Sequence, residues 1–240
     1  MSFLSAEWRK LAIANYQVEP SLLLPYVPAC TELDLWQDTC YVSLVGFMFL
    51  NTKLKGSKIP FHTNFEEVNL RFYVKYKDKA TQDYKRGVVF IKEIVPKPAL
   101  TWVANTIYKE HYQTMPMKHH WKESEQEREV SYQWKCGEKW QSFGVVAEKK
   151  RTEITANSEE EFITEHYWGY SKMNETKTVE YQVTHPRWEQ YKVKSFGIQV
   201  DFDLVYGKHF AFLSGYSPKS VMLAEGSAIT VESKKVLNLK

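Results

Sequence analysis

Four polar side chains recur at every second position in residues 65–76, FEEVNLRFYVKY: Glu67, Asn69, Arg71 and Tyr73. Successive side chains of an extended chain point to opposite faces. These four therefore share one face, and Val68, Leu70, Phe72 and Val74 share the other. A carboxylate, an amide, a guanidinium and a phenol in one row can position a polar ligand. The guanidinium is a planar, always-charged donor fork suited to a carboxylate or an enolate. The wet side of an ordinary half-buried antiparallel strand shows the same alternation, so periodicity alone leaves both readings open.

Two further segments gather aromatic and titratable groups. In FITEHYWGY, residues 162–170, a helical reading puts Glu165 and Trp168 three apart, so that they project together; a core-facing turn with a solvated Glu165 would look the same. In VTHPRWEQY, residues 183–191, Pro186 forces His185 into an extended backbone. His185 and Trp188 then line a mouth where a strand ends, or a rigid turn packs Trp188 inward. His111 and His185 are the candidate proton carriers near neutral pH. His119 and His120 invite a metal reading, but adjacent side chains on an extended chain diverge and no acid sits at ligand spacing. No metal or cofactor is expected. Motifs for a serine or cysteine nucleophile and glycine loops that cradle phosphate are absent.

The elements that must position these residues are mainly strands. Residues 40–50 are rich in β-formers, with Gly46 marking a bend or a close backbone approach. Residues 86–94 pair back on 65–76 across a polar turn. Residues 129–136 and 139–149 flank a tight turn at Gly137-Glu138. More strands are expected at 175–185, 191–205, 209–213 and 220–230. Helical signals are fewer. Residues 5–16 read as a short helix or turn carrying Trp8, Leu11 and Ile13. Residues 100–112 repeat Val103, Ile107 and His111 at a helical period. Residues 158–167 open on a capping box, Ser158 with Glu161, followed by Gly169. The expected fold class is mainly β (α+β), a single β-barrel domain over residues 1–240.

Composition narrows the function classes. A chain of 240 residues buries about 70 % of its surface, enough for a full core without staples. Aromatic residues at 15 % suit β-structure and pocket walls. The net charge of +3 is scattered, which argues against a phosphate-tracking stripe and hence against nucleic acid. Cys30, Cys40 and Cys136 are odd in number and form no CxxC, which fits a reducing, cytoplasmic compartment. The N-terminus has no basic region before an apolar run, so no signal peptide is expected. The longest apolar stretch, residues 41–50, is far shorter than the roughly 20 residues of a membrane span.

Several segments together resemble one family: YVSLVGFMFL after a Pro-rich lead with LDLW, then FEEVNLRFYV, FITEHYWGY, THPRWEQY and AEGSAITV. From about residue 8 to residue 231 the chain is similar to the YqjF-like proteins, also called the DUF2071 family, which is grouped with acetoacetate decarboxylase. The resemblance implies a cone-like, mostly antiparallel β-barrel with helices outside and a pocket inside. The polar face of residues 65–76 would then point inward and the apolar face outward, against helices or a partner. A buried, unpaired Arg71 costs several kcal/mol. Glu67 is four residues away, roughly 13 Å at about 3.3 Å per residue, so the partner must come from another element, and Glu165 is the candidate.

The decarboxylase works through two adjacent lysines, one made neutral and nucleophilic by its neighbour. The similar segment here, VANTIYKEHYQTMP, has His111 and Tyr112 at those positions. Lys109 lies nearby, beside Glu110, which would raise its pKa, so no Schiff-base lysine is expected; an alignment that slides Lys109 into the pocket is the rival. The resemblance thus implies a small-molecule-binding protein or enzyme for a carboxylate- or carbonyl-bearing ligand. Its pocket would be lined by Glu67, Asn69, Arg71, Tyr73, His111, Tyr112, Glu165, Trp168 and His185. The alternative is a non-catalytic binding module with a filled barrel, its exposed aromatics marking a homo-oligomer face.

Overall fold

Residues 65–77 do form a strand, and along 67–74 it is buried on both faces, a position that only β-formers on one side and a partnered or ligand-facing row on the other can tolerate. The computed structural model describes residues 2–239, and all fifteen strands join one hydrogen-bonded sheet. In chain order they are β1 (Leu4–Gln17), β2 (Glu32–Leu33), β3 (Tyr41–Leu54), β4 (Ser57–Lys58), β5 (Phe65–Lys77), β6 (Tyr84–Val95), β7 (Tyr112–Thr114) and β8 (Met117–Glu123). These are followed by β9 (Glu127–Cys136), β10 (Lys139–Glu153), β11 (Trp168–Asn174), β12 (Lys177–Thr184), β13 (Glu189–Gln199), β14 (Ser220–Val231) and β15 (Lys235–Asn238). Three α-helices, α1 (Pro98–Ile107), α2 (Glu159–Thr164) and α3 (Phe202–Tyr206), lie between them.

Seven strands close on themselves in the order β12-β11-β6-β5-β3-β1-β14, the ring being sealed where Val183 and Thr184 of β12 pair with Val231 and Thr230 of β14. Closure removes the open edges that would otherwise recruit other chains. The pairing is antiparallel except between β6 and β11 and between β6 and β7. From β14 the sheet continues through β13, β10, β9 and β8. Those strands fold back over the outside of the ring. Val68, Leu70, Phe72 and Val74 of β5 share one core cluster with Val130, Tyr132 and Trp134 of β9 and Phe143 and Val145 of β10. A second cluster, with Leu11, Ile13, Phe47, Phe49, Val88 and Val95, fills part of the inside. The apolar face of β5 is therefore covered by the continuation of the same sheet through β9 and β10, whereas helices or a partner were expected there. Gly46 marks a close approach: a Cβ there would lie 2.7 Å from the Tyr132 ring.

The N-terminal segment expected as a helix or turn is strand β1 at the heart of the ring. Its register against β3 slips between Arg9 and Ala12, and Lys10 takes a positive φ of 56°. This β-bulge puts Trp8 and Leu11, three apart, on the same inner face, a spacing that imitates a helix. Other departures are local. Helix α2 stops at Thr164, because β11 begins at Trp168 and draws the chain extended. Ser158 caps it through Glu161 N at 3.2 Å, but the Glu161 carboxylate returns to Asn157 N at 2.6 Å in place of Ser158. The strand expected over 191–205 ends at Gln199, where Asp201 caps α3 by accepting from Leu204 N. Residues expected as a strand at 209–213 lie in a 3-10 helix. Strands β8 and β11 carry no clean alternation and were not expected.

Replacing Gly46 with Ala forces the added methyl against a Tyr132 ring that is wholly buried and tied by its hydroxyl to Lys10 O at 2.7 Å. Overpacking of this kind costs about 1–3 kcal/mol, and urea unfolding of the variant should show a loss in that range with an unchanged m-value.

Candidate functional site

A cavity of about 330 Å³ occupies the inside of the ring. Most of its wall is apolar, from Leu4, Trp8 and Leu11 on β1 and Phe47 and Phe49 on β3. Helix α1 lies across it, begun by Pro98 at the first helical position, where the missing N–H is not needed. Its Ala99, Leu100, Val103 and Ala104 line the cavity, at the spacing of one helix face, while Trp102 on the far side is 70 % exposed. Loop residues Ile59 and His62 complete that wall.

The polar part begins with Glu67, Asn69 and Arg71, all buried and all lining the cavity. Glu67 accepts from Asn69 Nδ2 at 2.9 Å and from the Tyr112 hydroxyl at 3.1 Å. Two more carboxyl groups enter the same space. Glu93 stands opposite Asn69 in the β5–β6 register. The register slips by one residue between Leu70 and Arg71, so β6 turns Phe90 and Glu93, three apart, to the same side. Glu110 enters from the segment between α1 and β7. Lys109, exposed and at φ 59°, turns the chain so that its own side chain leaves and the next one goes in. Burial pushes Glu67 and Glu110 up to about 7, and raises Glu93 well above the usual carboxylate range. Glu93 Oε2 and Glu110 Oε1 have no hydrogen-bond partner in the protein.

Arg71 Nε is likewise unpartnered, its guanidinium lying 5.7 Å from the Tyr73 ring centre. Glu165 is not its partner. Because α2 ends one residue earlier, Glu165 leaves the helix and accepts from the Tyr167 hydroxyl at 2.5 Å. Tyr73 is on the inner face but packs: its hydroxyl is 2.8 Å from Ser43 Oγ and its ring rests on Phe162 and His166. His111 is exposed, its ring Nδ1 3.3 Å from Phe90 O, and does not line the cavity. His185 is stacked between Trp188 and Tyr167, away from the lining. Tyr112 and Trp168 do line it, Trp168 beneath the Lys85 ammonium at 4.4 Å.

The buried histidine that lines the cavity is His166. Its Nε2 lies 3.1 Å from Asp34 Oδ2, which also accepts from Arg86 Nε at 2.6 Å. Although burial works against it, Asp34 stays below its usual pKa through these hydrogen bonds from His166 and Arg86. Burial lowers His166 to about 4, so its ring is neutral and donates from Nε2 to the ionised Asp34. This pair joins the LDLW and EHYWGY segments, a contact across 132 positions of chain. Glu93, Glu110, His166 and Tyr181 were not among the expected lining residues. Alternation puts Glu93 with the wrong neighbours because of the bulge, and Glu110 sits in a turn without periodicity. Among the described residues no lysine lines the cavity, and no cluster of three or more His, Cys, Asp and Glu side chains could hold a metal ion.

Comparison with known proteins gives three kinds of likeness. A family model, DUF2071, described as an uncharacterized conserved protein, matches residues 5–228. The uncharacterized protein YqjF of Bacillus subtilis (strain 168) is 36 % identical over 73 residues, a stretch that spans 30 % of this chain and 30 % of that relative. Acetoacetate decarboxylase from Legionella pneumophila superposes with a TM-score of 0.65 at 13 % identity, covering 98 % of this chain and 86 % of that one. The enduracididine biosynthesis enzyme MppR, complexed with the condensation product of pyruvate and imidazole 4-carboxaldehyde, superposes with a TM-score of 0.65 at 8 % identity, over 99 % and 90 % of the two chains. The fold is that of the acetoacetate-decarboxylase-like proteins, as the resemblance implied.

Two measurements probe the buried charges. Glu67 and Glu110 hold protons up to about 7 when folded but only to about 4.5 when unfolded. Over that window the native state binds more protons, so these groups favour folding fully at low pH and lose that contribution as pH rises. His166 acts oppositely, its contribution fading as pH falls from 6.5 to about 4. Glu67→Gln should therefore gain stability relative to the parent as pH rises from about 5 to about 8, by roughly 1–3 kcal/mol in urea titrations. Arg71→Met should leave the ligand-free protein as stable or up to about 2 kcal/mol more so, where loss of a paired buried arginine would cost about 3–5 kcal/mol.

Proposed function

We propose that this chain, which belongs to the DUF2071 family of uncharacterized conserved proteins, binds a small organic acid inside the ring, with Arg71 gripping its carboxylate or enolate. The observation that carries this is Arg71 itself. It is 8 % exposed, lines the cavity inside the ring, and has a guanidinium nitrogen with no partner. Such a group is expensive to bury, and an anionic guest relieves the cost with charge-assisted hydrogen bonds. The surrounding wall of Trp8, Phe47, Phe49, Leu100 and Val103 fits an apolar or aromatic body on that guest. The volume of about 330 Å³ argues against an interior filled by the protein's own side chains.

Lysine-dependent decarboxylation finds no support in this cavity, since Lys109 is exposed and no described lysine lines it. A 2-oxo acid is a reasonable probe, because the similarly folded MppR is described with a pyruvate-derived ligand. No described helix is long and apolar enough to cross a membrane.

Isothermal titration with phenylpyruvate and with its uncharged analogue 1-phenyl-2-propanone tests the proposal. The acid should bind roughly 10- to 100-fold more tightly, as expected for hydrogen bonds to a charged group. Arg71→Gln should erase that difference. Equal affinity for the two compounds, or no binding of either, would overturn it. Native mass spectrometry of the purified protein should also reveal any acid carried through purification.

A further inference from the structure

A cavity that holds an organic acid beside three carboxyl groups contains more chemistry than binding requires. Glu67 accepts hydrogen bonds on both oxygens, from Asn69 and Tyr112, and donors of this kind favour the ionised carboxylate. Glu110 enters the same cavity on a different segment, with Oε1 unpartnered; burial raises its carboxyl group, while Ser171, Tyr181 and Glu93 nearby pull it part of the way back. Arg71 lies four residues from Glu67 on the same face. Their backbones are roughly 13 Å apart at about 3.3 Å per residue, so the two side chains flank a guest in place of pairing with one another. No described lysine lines the cavity, which leaves no route to a covalent imine.

We infer that the cavity catalyses enolisation of a 2-oxo acid, with Glu67 as the base, Glu110 as the acid and Arg71 holding the substrate carboxylate. This rests on the anchoring role of Arg71 proposed above. Glu67 takes a proton from the carbon next to the carbonyl, and the electrons of that C–H bond become a C=C bond. The carbonyl π pair moves to oxygen, which takes the proton of Glu110. The product is the enol, with no change in net charge and no oxidant, reductant or cofactor. Transfer of a proton from Glu67 back to Glu110 resets the pair, and Glu93, raised by burial and by the charges of Glu110 and Glu67 so that it keeps its own proton, lies in the same cavity.

The electrostatics suit proton exchange by this pair, and the hydrogen bonds on Glu67 set which of the two is the base. Burial holds Glu67 and Glu110 at about 7, where a carboxyl group exchanges protons most effectively near neutral pH. Of the other titratable groups lining the cavity, Glu93 is raised well above its usual value by burial and by the charges of Glu110 and Glu67, His166 is neutral and bonded to Asp34, Tyr108, Tyr112 and Tyr181 are raised by burial, and His62 sits on the loop wall with Nδ1 2.8 Å from Pro60 O.

The test follows deuterium entering C3 of phenylpyruvate in D2O by proton NMR, with binding measured alongside. The full chain should accelerate exchange over buffer, with a rate that peaks near neutral pH because one glutamate must be ionised and the other protonated. Glu67→Gln should lose about 100-fold or more of the protein-dependent rate while still binding phenylpyruvate. Glu110→Gln, an independent variant, should lose a comparable share and flatten one limb of the pH profile. Binding without exchange above buffer overturns the enolisation and leaves the anchoring role of Arg71 standing. Exchange that survives both glutamine variants overturns the assignment of base and acid. Absence of phenylpyruvate binding removes the anchoring role, and the enolisation with it.

Discussion

The inside of the ring encloses one guanidinium and three carboxyl groups, and the rest of the site follows from the cost of burying them. In a low-dielectric interior an ionised group needs a partner of opposite charge or must give up its charge. Arginine cannot do the second, so Arg71 stays charged and in want of an anion. The glutamates can, and burial raises all three above the usual carboxylate range, Glu67 and Glu110 to about 7. The result is a cavity whose proton count, and not a fixed set of ion pairs, balances its charge.

That situation is possible because β5 is covered twice. Its apolar row packs against β9 and β10, and its polar row meets the cavity. An open sheet would have given the polar row to water, where Glu67 and Arg71 would be ordinary surface charges. Closing the ring and doubling the sheet turns the same row into a buried one. The two β-bulges extend this effect: one brings Trp8 and Leu11 to the inner face of β1, the other brings Glu93 beside Phe90 on β6.

Similarity to acetoacetate decarboxylase and MppR extends over nearly the whole chain at 13 % and 8 % identity, which is a statement about fold. The lining of this cavity is its own. Glu110 is buried where the neighbouring Lys109 is exposed, so the segment that resembles the decarboxylase's lysine region delivers a carboxyl group to the interior. Beside it, Asp34 holds His166 in one tautomer and joins the LDLW and EHYWGY segments, which gives two of the segments that carry the resemblance a physical connection.

The sequence by itself determined the β-rich class, the two-faced character of residues 65–76, the Gly137 hairpin and the Ser158 cap, because each depends on periodicity or on a few neighbouring residues. It also placed Glu67, Asn69 and Arg71 in one row. Only the tertiary structure decided which way that row faces and who joins it. Glu93 is hidden from alternation by a bulge, Glu110 by a turn, and His166 by a helix that ends early, while Glu165, His111 and His185, which looked equally suitable, are drawn elsewhere by Tyr167, a solvent-facing turn and the Trp188 stack. Periodicity reports the face of a single strand; the closing of seven strands into a ring is a long-range event, and it alone sets which faces share an interior.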